Sequence, residues 1–236
     1  MALEGDTEQQ NGIYRVTAGH LGKEKYERKD DSENTCVLPL VNVMTGKSMD
    51  KCIVYGERPI TELSLTMMTD EDLGRLVSGI ELSDGGRIPF DESCQLQHVI
   101  VEAPLGRQFG VIDIVLAYDD FSVLCEVKPA DYDSICRRLE VQIPRYLDSL
   151  GREPSLKQTA LVRLVRKMIS GKKIYLIVVT SDTVFPPKLR DFYKGLGDTH
   201  AVCLGWASYA NLSSVLEKEG FVIEGTSANL WARKRP

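Results

Sequence analysis

Two runs of aliphatic residues in this chain of 236 residues carry charged side chains in places where a buried strand should hold none. The first run, Gly-Val-Ile-Asp-Ile-Val-Leu at 110–116, has Asp113 at its centre. The second, Ser-Val-Leu-Cys-Glu-Val-Lys at 122–128, ends on Glu126 and Lys128. Removing an ionised group from water is costly unless the group is paired or binds a metal. These three residues therefore require partners within the fold.

Strand geometry supplies those partners. Alternate residues of a strand face the same side, so Glu126 and Lys128 project from one face. A hairpin between the two runs then lays Asp113 beside Glu126. Two carboxylates next to an ammonium form a site for a hard divalent cation, an arrangement used to hydrolyse phosphodiesters. Because one cation has to reach both carboxylates, the pattern predicts that they lie within about 8 Å of each other.

The spacing of these residues resembles that of a known nuclease group. Asp113, followed after a hairpin by Glu126-Val127-Lys128, resembles the motif of the PD-(D/E)xK nuclease superfamily. The core of that superfamily runs helix, three strands, helix, strand. Ile112 stands where the superfamily nominally has a proline. The resemblance implies an α/β fold with a restriction-endonuclease-like αβββαβ core, in which helices flank a mixed central sheet.

The same resemblance implies roles for individual residues. Asp113, Glu126 and the main-chain carbonyl of Val127 would hold Mg²⁺ or Mn²⁺, the ions that oxygen ligands favour. Lys128 would orient the attacking water or stabilise charge on the phosphate, whereas the simpler alternative is a salt bridge to Glu126. Glu102, on the preceding strand, either completes the metal site or faces water from an edge strand.

A second match lies in Gln-Ile-Pro-Arg-Tyr at 142–146. Gln142 and Tyr146 resemble the Gln-x-x-x-Tyr signature of the RecB-like and lambda-exonuclease-like branch. In that case Gln142 is expected to hydrogen-bond a ligand or the attacking water, and Tyr146 to pack or stack beside the substrate path. The alternative is a core tyrosine with an incidental glutamine. Pro144 is expected to kink this helix or to mark a restart near Val141.

Basic residues follow the motif directly. The formal net charge is −5, yet residues 137–173 contain ten basic and three acidic side chains, so positive charge is concentrated there. We expect Arg137, Arg138 and Arg145 to bind phosphates of a nucleic acid substrate. The alternative for this stretch is a pair of solvated amphipathic helices.

Hydrophobic periodicity divides the chain into elements. Residues 1–35 are polar and predict a flexible arm, and 36–236 predict one nuclease-like domain with its core at about 69–180. Predicted helices cover 69–80, 131–150, 155–169 and 209–218, with a short one starting at 187. Predicted strands cover 96–103, 109–117, 121–128, 174–179 and 201–204.

Composition excludes several classes. No run approaches the roughly 18 apolar residues that span a bilayer, and the first residues do not resemble a signal peptide, so an intracellular protein, cytoplasmic or nuclear, is expected. Six cysteines occur without a Cys-x-x-Cys pair, which argues against a zinc ribbon, and Cys125 is expected in the core. No Gly-rich phosphate loop and no His-Glu-x-x-His motif is present.

The sequence thus favours a metal-dependent nuclease that acts on DNA, or less readily on RNA, through a metal-activated water. Exonuclease and endonuclease action both stay open, as does the oligomeric state. One alternative is a catalytically inactive nuclease-fold protein that binds nucleic acid or another protein. The intact Asp113, Glu126 and Lys128 weigh against it. Another is a non-nuclease hydrolase or an interaction module in which the acidic pair is structural.

Overall fold

The computed structural model describes residues 7–10, 13–16, 53–55, 61, 64–65, 68, 70–91, 93–106, 110–152, 160–196, 202–218, 220–224 and 231–234. The strands are β1 (Thr7–Gln10), β2 (Ile13–Val16), β3 (Ile53–Tyr55), β4 (Glu81–Leu82), β5 (Leu96–Gly106), β6 (Gly110–Tyr118), β7 (Phe121–Val127), β8 (Lys173–Thr180), β9 (Val202–Ser208), β10 (Phe221–Glu224) and β11 (Trp231–Lys234). The helices are α1 (Asp70–Ser78), α2 (Tyr132–Leu150), α3 (Ala160–Ile169), α4 (Pro187–Leu196) and α5 (Tyr209–Lys218).

A mixed sheet of eight strands, in the order β1-β2-β5-β6-β7-β8-β9-β4, forms the centre of the fold. Strands β5, β6 and β7 make an antiparallel meander, and β7, β8 and β9 are parallel. Parallel neighbours need crossover connections, which helices α2, α3 and α4 provide. A second sheet has the order β10-β11-β3. The predicted α/β class, with a mixed central sheet flanked by helices, is confirmed.

Apolar side chains cover both faces of the central sheet. Helices α1 and α5 pack on one face, and α2, α3 and α4 pack on the other. Every residue of β7 is buried, as expected for a strand with helices on both sides. Within this strand Cys125 faces α1 and α5, whereas Leu124 and Glu126 face α2. Burial raises the pKa of Cys125 to about 12, which fits the predicted core position.

Helix α2 carries the second sequence match. Asp131 caps its first turn by accepting a hydrogen bond from the backbone N–H of Ser134. The helix then continues through Pro144 to Leu150, so a restart near Val141 is wrong. Its buried side packs on the sheet, and this packing compensates for the backbone hydrogen bond that the proline cannot make. Among the described helices, none is long and apolar enough to cross a membrane.

The predicted flexible arm needs correction where the structure describes it. Strands β1 and β2 form an antiparallel hairpin, and β2 pairs in parallel with β5 through Tyr14 and His98. These residues therefore extend the central sheet, because the open edge of β5 offers unpaired backbone groups. The other residues of 1–35 lie outside the described part of the chain.

Arg166 of α3 is a structural residue and does not belong to a phosphate-binding surface. It is 7% exposed, and its guanidinium donates to the carbonyl oxygens of Ser149 (2.7 Å) and Arg152 at the end of α2. We expect Arg166→Leu to lower the free energy of unfolding by about 2 kcal/mol, because these carbonyls lose a charged donor. Exposed Arg163 on the same helix is the matched control. Urea unfolding in which Arg163→Leu and Arg166→Leu are equally stable would contradict this role.

Candidate active site

The candidate site lies at the end of the backbone hydrogen-bond ladder between β6 and β7. Backbone pairing reaches Ile114 opposite Cys125. At the next position the N–H of Val127 donates to Asp113 Oδ2 over 2.7 Å, so a carboxylate takes the place of a strand carbonyl. This bond orients Asp113, whose side chain is 22% exposed. Asp113 thereby gives the site its contact with solvent.

Lys128 joins the two carboxylates. Its Nζ lies 2.9 Å from Glu126 Oε1 and 3.6 Å from Asp113 Oδ2. The two oxygens are therefore no farther apart than the sum of these distances, about 6.5 Å, which is below the predicted limit of about 8 Å. The same ammonium donates to the carbonyl oxygen of Val127 at 2.7 Å. The predicted convergence of Asp113, Glu126 and Lys128 is present.

Burial and charge determine the protonation of Glu126. The residue is 2% exposed. Burial, reinforced by the nearby negative charge of Asp113, raises the pKa of Glu126 to about 7, while Lys128 and the hydroxyl of Tyr146 oppose the rise. Glu126 is thus a carboxyl group that readily takes up a proton near neutral pH. A further cation in the site would hold it ionised.

Tyr146 has a different place from the predicted one. Its ring is 2% exposed, so it has no free face on which a base could stack. Its hydroxyl donates to Glu126 Oε2 at 2.8 Å and lies 3.1 Å from the carbonyl oxygen of Val111. Burial and the charge of Glu126 raise the pKa of Tyr146, so the phenol stays a donor. Burial leaves no exposed ring face for a base to stack on, so the observed role of Tyr146 is to bind Glu126, and a packing role beside the substrate path stays a prediction.

Gln142 lies one helical turn before Tyr146 and is half-buried. Its Oε1 is buried without a hydrogen-bond partner among the described residues. An amide oxygen accepts and cannot donate to a carboxylate, so the expected hydrogen bond of Gln142 to a ligand or to the attacking water stays a prediction. An unsatisfied buried amide oxygen is unfavourable, so Gln142 has an acceptor available for a donor such as water.

The three arginines of α2 are all exposed but do not share one face. At about 100° per residue, Arg138 and Arg145 lie roughly 40° and 60° from Gln142 around the helix, whereas Arg137 lies roughly 140° away. The charge of Arg138 is close enough to oppose the rise in the Tyr146 pKa. Arg138 thus lies near the site, Arg145 lies on the same side of α2 as Arg138, and Arg137 lies farther round the helix from Gln142.

The remaining basic stretch is divided among different locations. Lys172 donates to the carbonyl oxygen of Tyr118, at the opposite end of β6 from Asp113. Lys173 lies 5.2 Å from the ring centre of Tyr175 at the start of β8. Together with the buried guanidinium of Arg166, these contacts show that the described basic residues of 137–173 do not form one continuous surface for phosphates.

No family model, no curated protein and no solved structure matches the chain. The chemistry of the site therefore has to be derived from its own residues.

The donor set fits a hard divalent cation. Asp113 Oδ2, Glu126 Oε1 and the carbonyl oxygen of Val127 already surround one positive charge, the ammonium of Lys128. Carboxylate and carbonyl oxygens are the ligands of Mg²⁺ and Mn²⁺. Among the described residues, no group of three or more His, Cys, Asp and Glu side chains is placed to hold a metal.

The backbone of Glu102 belongs to β5 and lies between two ladder pairs, Val101 with Ile114 and Ala103 with Ile112. That position is beside Asp113 in the sheet. The side chain of Glu102 lies outside the described residues, so its expected part in the metal site stays a prediction.

Proposed function

We propose that this protein is a metal-dependent nuclease that hydrolyses phosphodiester bonds in nucleic acid, DNA in preference to RNA, with Mg²⁺ or Mn²⁺. The observation that carries the proposal is the buried ammonium of Lys128 among the oxygens of Asp113, Glu126 and Val127. Such a metal, when bound, polarises a phosphoryl oxygen and lowers the pKa of water.

The residues around the site have separate roles in the proposed reaction. Asp113, Glu126 and the Val127 carbonyl hold the cation. Tyr146 donates to Glu126 Oε2, which leaves Oε1, the oxygen that contacts Lys128, as the one that would bind a cation. The ammonium of Lys128 can donate a hydrogen bond to a phosphate oxygen as negative charge develops on that oxygen. Donors that are already in position lower the activation barrier of the reaction.

One observation favours the alternative of an inactive nuclease-fold protein. Glu126 is almost fully buried, and both of its oxygens already have partners, Lys128 on Oε1 and Tyr146 on Oε2. A structural ion pair with a satisfied network would look the same. Under this alternative, the protein binds nucleic acid or protein without cleaving it.

Incubation of the purified protein with circular and linear single- and double-stranded DNA, and with RNA, distinguishes these functions. The proposal predicts cleavage with added Mg²⁺ or Mn²⁺ and none with a chelator. Circular substrates report internal cleavage, and linear ones report cleavage from ends. Binding of nucleic acid without cleavage of any substrate at any metal concentration would favour the inactive protein.

Tyr146→Phe tests the hydrogen bond from the Tyr146 hydroxyl to Glu126. Loss of one hydroxyl leaves the ring in the core but frees Glu126 Oε2, so we expect turnover to fall about tenfold with a smaller change in the Michaelis constant. Tyr132→Phe is the matched control, since Tyr132 is also buried on α2 but its hydroxyl contacts Glu140, 3.5 Å away. Equal turnover of both variants under saturating metal and substrate would show that the bond to Glu126 does not matter.

The flanking arginines are expected to bind phosphates. Replacing Arg138 and Arg145 together by glutamine should weaken DNA binding and reduce the slope of log affinity against log salt by about 1.5 to 2. Arg137→Gln, on the far side of the same helix, should leave the slope almost unchanged. The measurement is fluorescence anisotropy with labelled DNA and Ca²⁺, which supplies charge without supporting rapid cleavage. A loss of slope in Arg137→Gln as large as in the double variant would contradict the assigned face.

A further inference from the structure

The ammonium of Lys128 lies where a divalent cation would have to bind. Its Nζ contacts the carbonyl oxygen of Val127 at 2.7 Å, Glu126 Oε1 at 2.9 Å and Asp113 Oδ2 at 3.6 Å. These are the oxygens to which the proposed function assigns the metal. The position is enclosed, since Lys128 is 4% exposed. An ammonium and a hard cation both bind such oxygens through their positive charge, so they compete for the same lone pairs.

We infer that Lys128 is a tethered competitor of the metal, which fills the cation position in the metal-free protein and has to withdraw before Mg²⁺ or Mn²⁺ binds. The inference rests on the proposed function, because it takes the metal site as given. The tether is short: Lys128 directly follows Val127, the residue whose carbonyl it binds. A competitor attached so closely acts at a high effective concentration.

The charge of Lys128 suits it to both the metal-free and the metal-bound protein. Asp113 and Glu126, when ionised, carry two negative charges within a space largely closed to water, and the ammonium neutralises one of them. Without metal, Lys128 therefore stabilises the two carboxylates. When a divalent ion arrives, its charge repels the ammonium, and the flexible four-carbon stem lets Nζ move while it stays near the site. The displaced charge is then available to a phosphate.

Lys128 is thus expected to lower metal affinity while it supports catalysis. A lysine that only orients water or substrate would leave the affinity for metal alone unchanged. Lys128→Met separates the two possibilities, because methionine retains a similar unbranched stem but has no charge. The variant should bind metal more tightly and cleave more slowly, so that affinity and turnover move in opposite directions.

Calorimetric titration of Mn²⁺ alone into the full chain provides the test. Lys128→Met should show a dissociation constant at least about tenfold lower than the parent protein, since it lacks one repelling charge. Lys188→Met is the matched control, because Lys188 is 72% exposed and pairs with Asp133. It should bind Mn²⁺ as the parent does. Equal affinity of Lys128→Met and the parent would overturn the inference and leave the metal site intact. If neither protein binds Mn²⁺, the inference and the proposed function fail together.

A second measurement needs no substitution in the site. The Nζ group of a buried, hydrogen-bonded ammonium exchanges slowly with water and is visible by ¹⁵N nuclear magnetic resonance. Addition of diamagnetic Mg²⁺ to the parent protein should shift the Lys128 signal and remove its protection from exchange. The ammonium of Lys188 is exposed, so it exchanges rapidly with water and gives no protected signal. A Lys128 signal that stays unchanged at a Mg²⁺ concentration shown by calorimetry to saturate the site would overturn the inference.

Discussion

Glu126→Gln and Asp113→Asn are each expected to reduce metal-dependent cleavage by at least about 10³-fold, because each removes an anionic ligand from a cation that supplies several kcal/mol of transition-state stabilisation. Both substitutions keep the shape of the side chain. The fold should survive, since the site lies at the end of β6 and β7 and the apolar clusters on both sheet faces stay intact. Cleavage of linear DNA at saturating Mn²⁺, followed with an end label, is the measurement.

Asp119→Asn is the control for these two variants. Asp119 is an exposed aspartate in the hairpin that joins β6 and β7, at the far end of the strand that carries Asp113. It should cleave DNA at the parental rate. If Glu126→Gln retains cleavage within tenfold of the parent, Glu126 is not a ligand of a metal that the reaction needs.

The stability of the metal-free protein should depend on pH through Glu126. Its pKa is about 7 in the folded protein against an ordinary value of 4.5, so folding favours the protonated form. The resulting stabilisation is fully present below about pH 4.5 and is lost as the pH rises through 7. Glu126→Gln cannot titrate there. Relative to this variant, the parent should therefore lose on the order of 3 kcal/mol between these two pH values.

Urea unfolding of both proteins with a chelator present, from pH 4.5 to 8.5, measures this difference, and titrating groups that do not interact with Glu126 cancel in the comparison. With saturating Mn²⁺ the loss at high pH should shrink, because the cation stabilises the ionised carboxylate. A difference between parent and variant that does not change with pH in the presence of chelator would show that the environment of Glu126 is not the one described.

Elements with strong periodicity could be predicted from the sequence. The run at 209–218 predicts a helix, and the structure has Tyr209–Lys218. The aliphatic runs around Asp113 and Glu126 predict adjacent strands, because a strand buried on both faces needs continuous apolar residues and the charged exceptions are visible against them. The alternation of side chains along a strand predicts that Asp113, Glu126 and Lys128 lie close together.

Tyr146 belongs to two sequence patterns that predict different environments for it. The residue shares the apolar stripe of α2 with Leu139, Ile143 and Leu147, and that spacing predicts a buried ring. The resemblance to the Gln-x-x-x-Tyr signature predicts a position beside the substrate path instead. Only three-dimensional pairing reveals that the buried hydroxyl meets Glu126, since 20 residues separate the two in sequence.

Two other features of the structure depend on contacts between elements that are distant in sequence. Strands β1 and β2 lie in a polar segment, and their inclusion in the sheet depends on the edge that β5 offers. Arg166 is one of the ten basic residues at 137–173, but its position between Val162 and Ile169 on α3 places it on the buried side of that helix. Long-range capping of α2 by Arg166 is a tertiary contact, and periodicity alone does not encode it.

Crystals soaked in Mn²⁺ and measured at the manganese absorption edge give the most direct test of the claim that Asp113, Glu126 and Val127 form a divalent-cation site. We expect an anomalous peak about 2.0 to 2.5 Å from Asp113 Oδ2, Glu126 Oε1 and the carbonyl oxygen of Val127, with Lys128 Nζ displaced from its present position. A fully soaked crystal with no peak between these oxygens, and with Lys128 still bound to both carboxylates, would contradict the account.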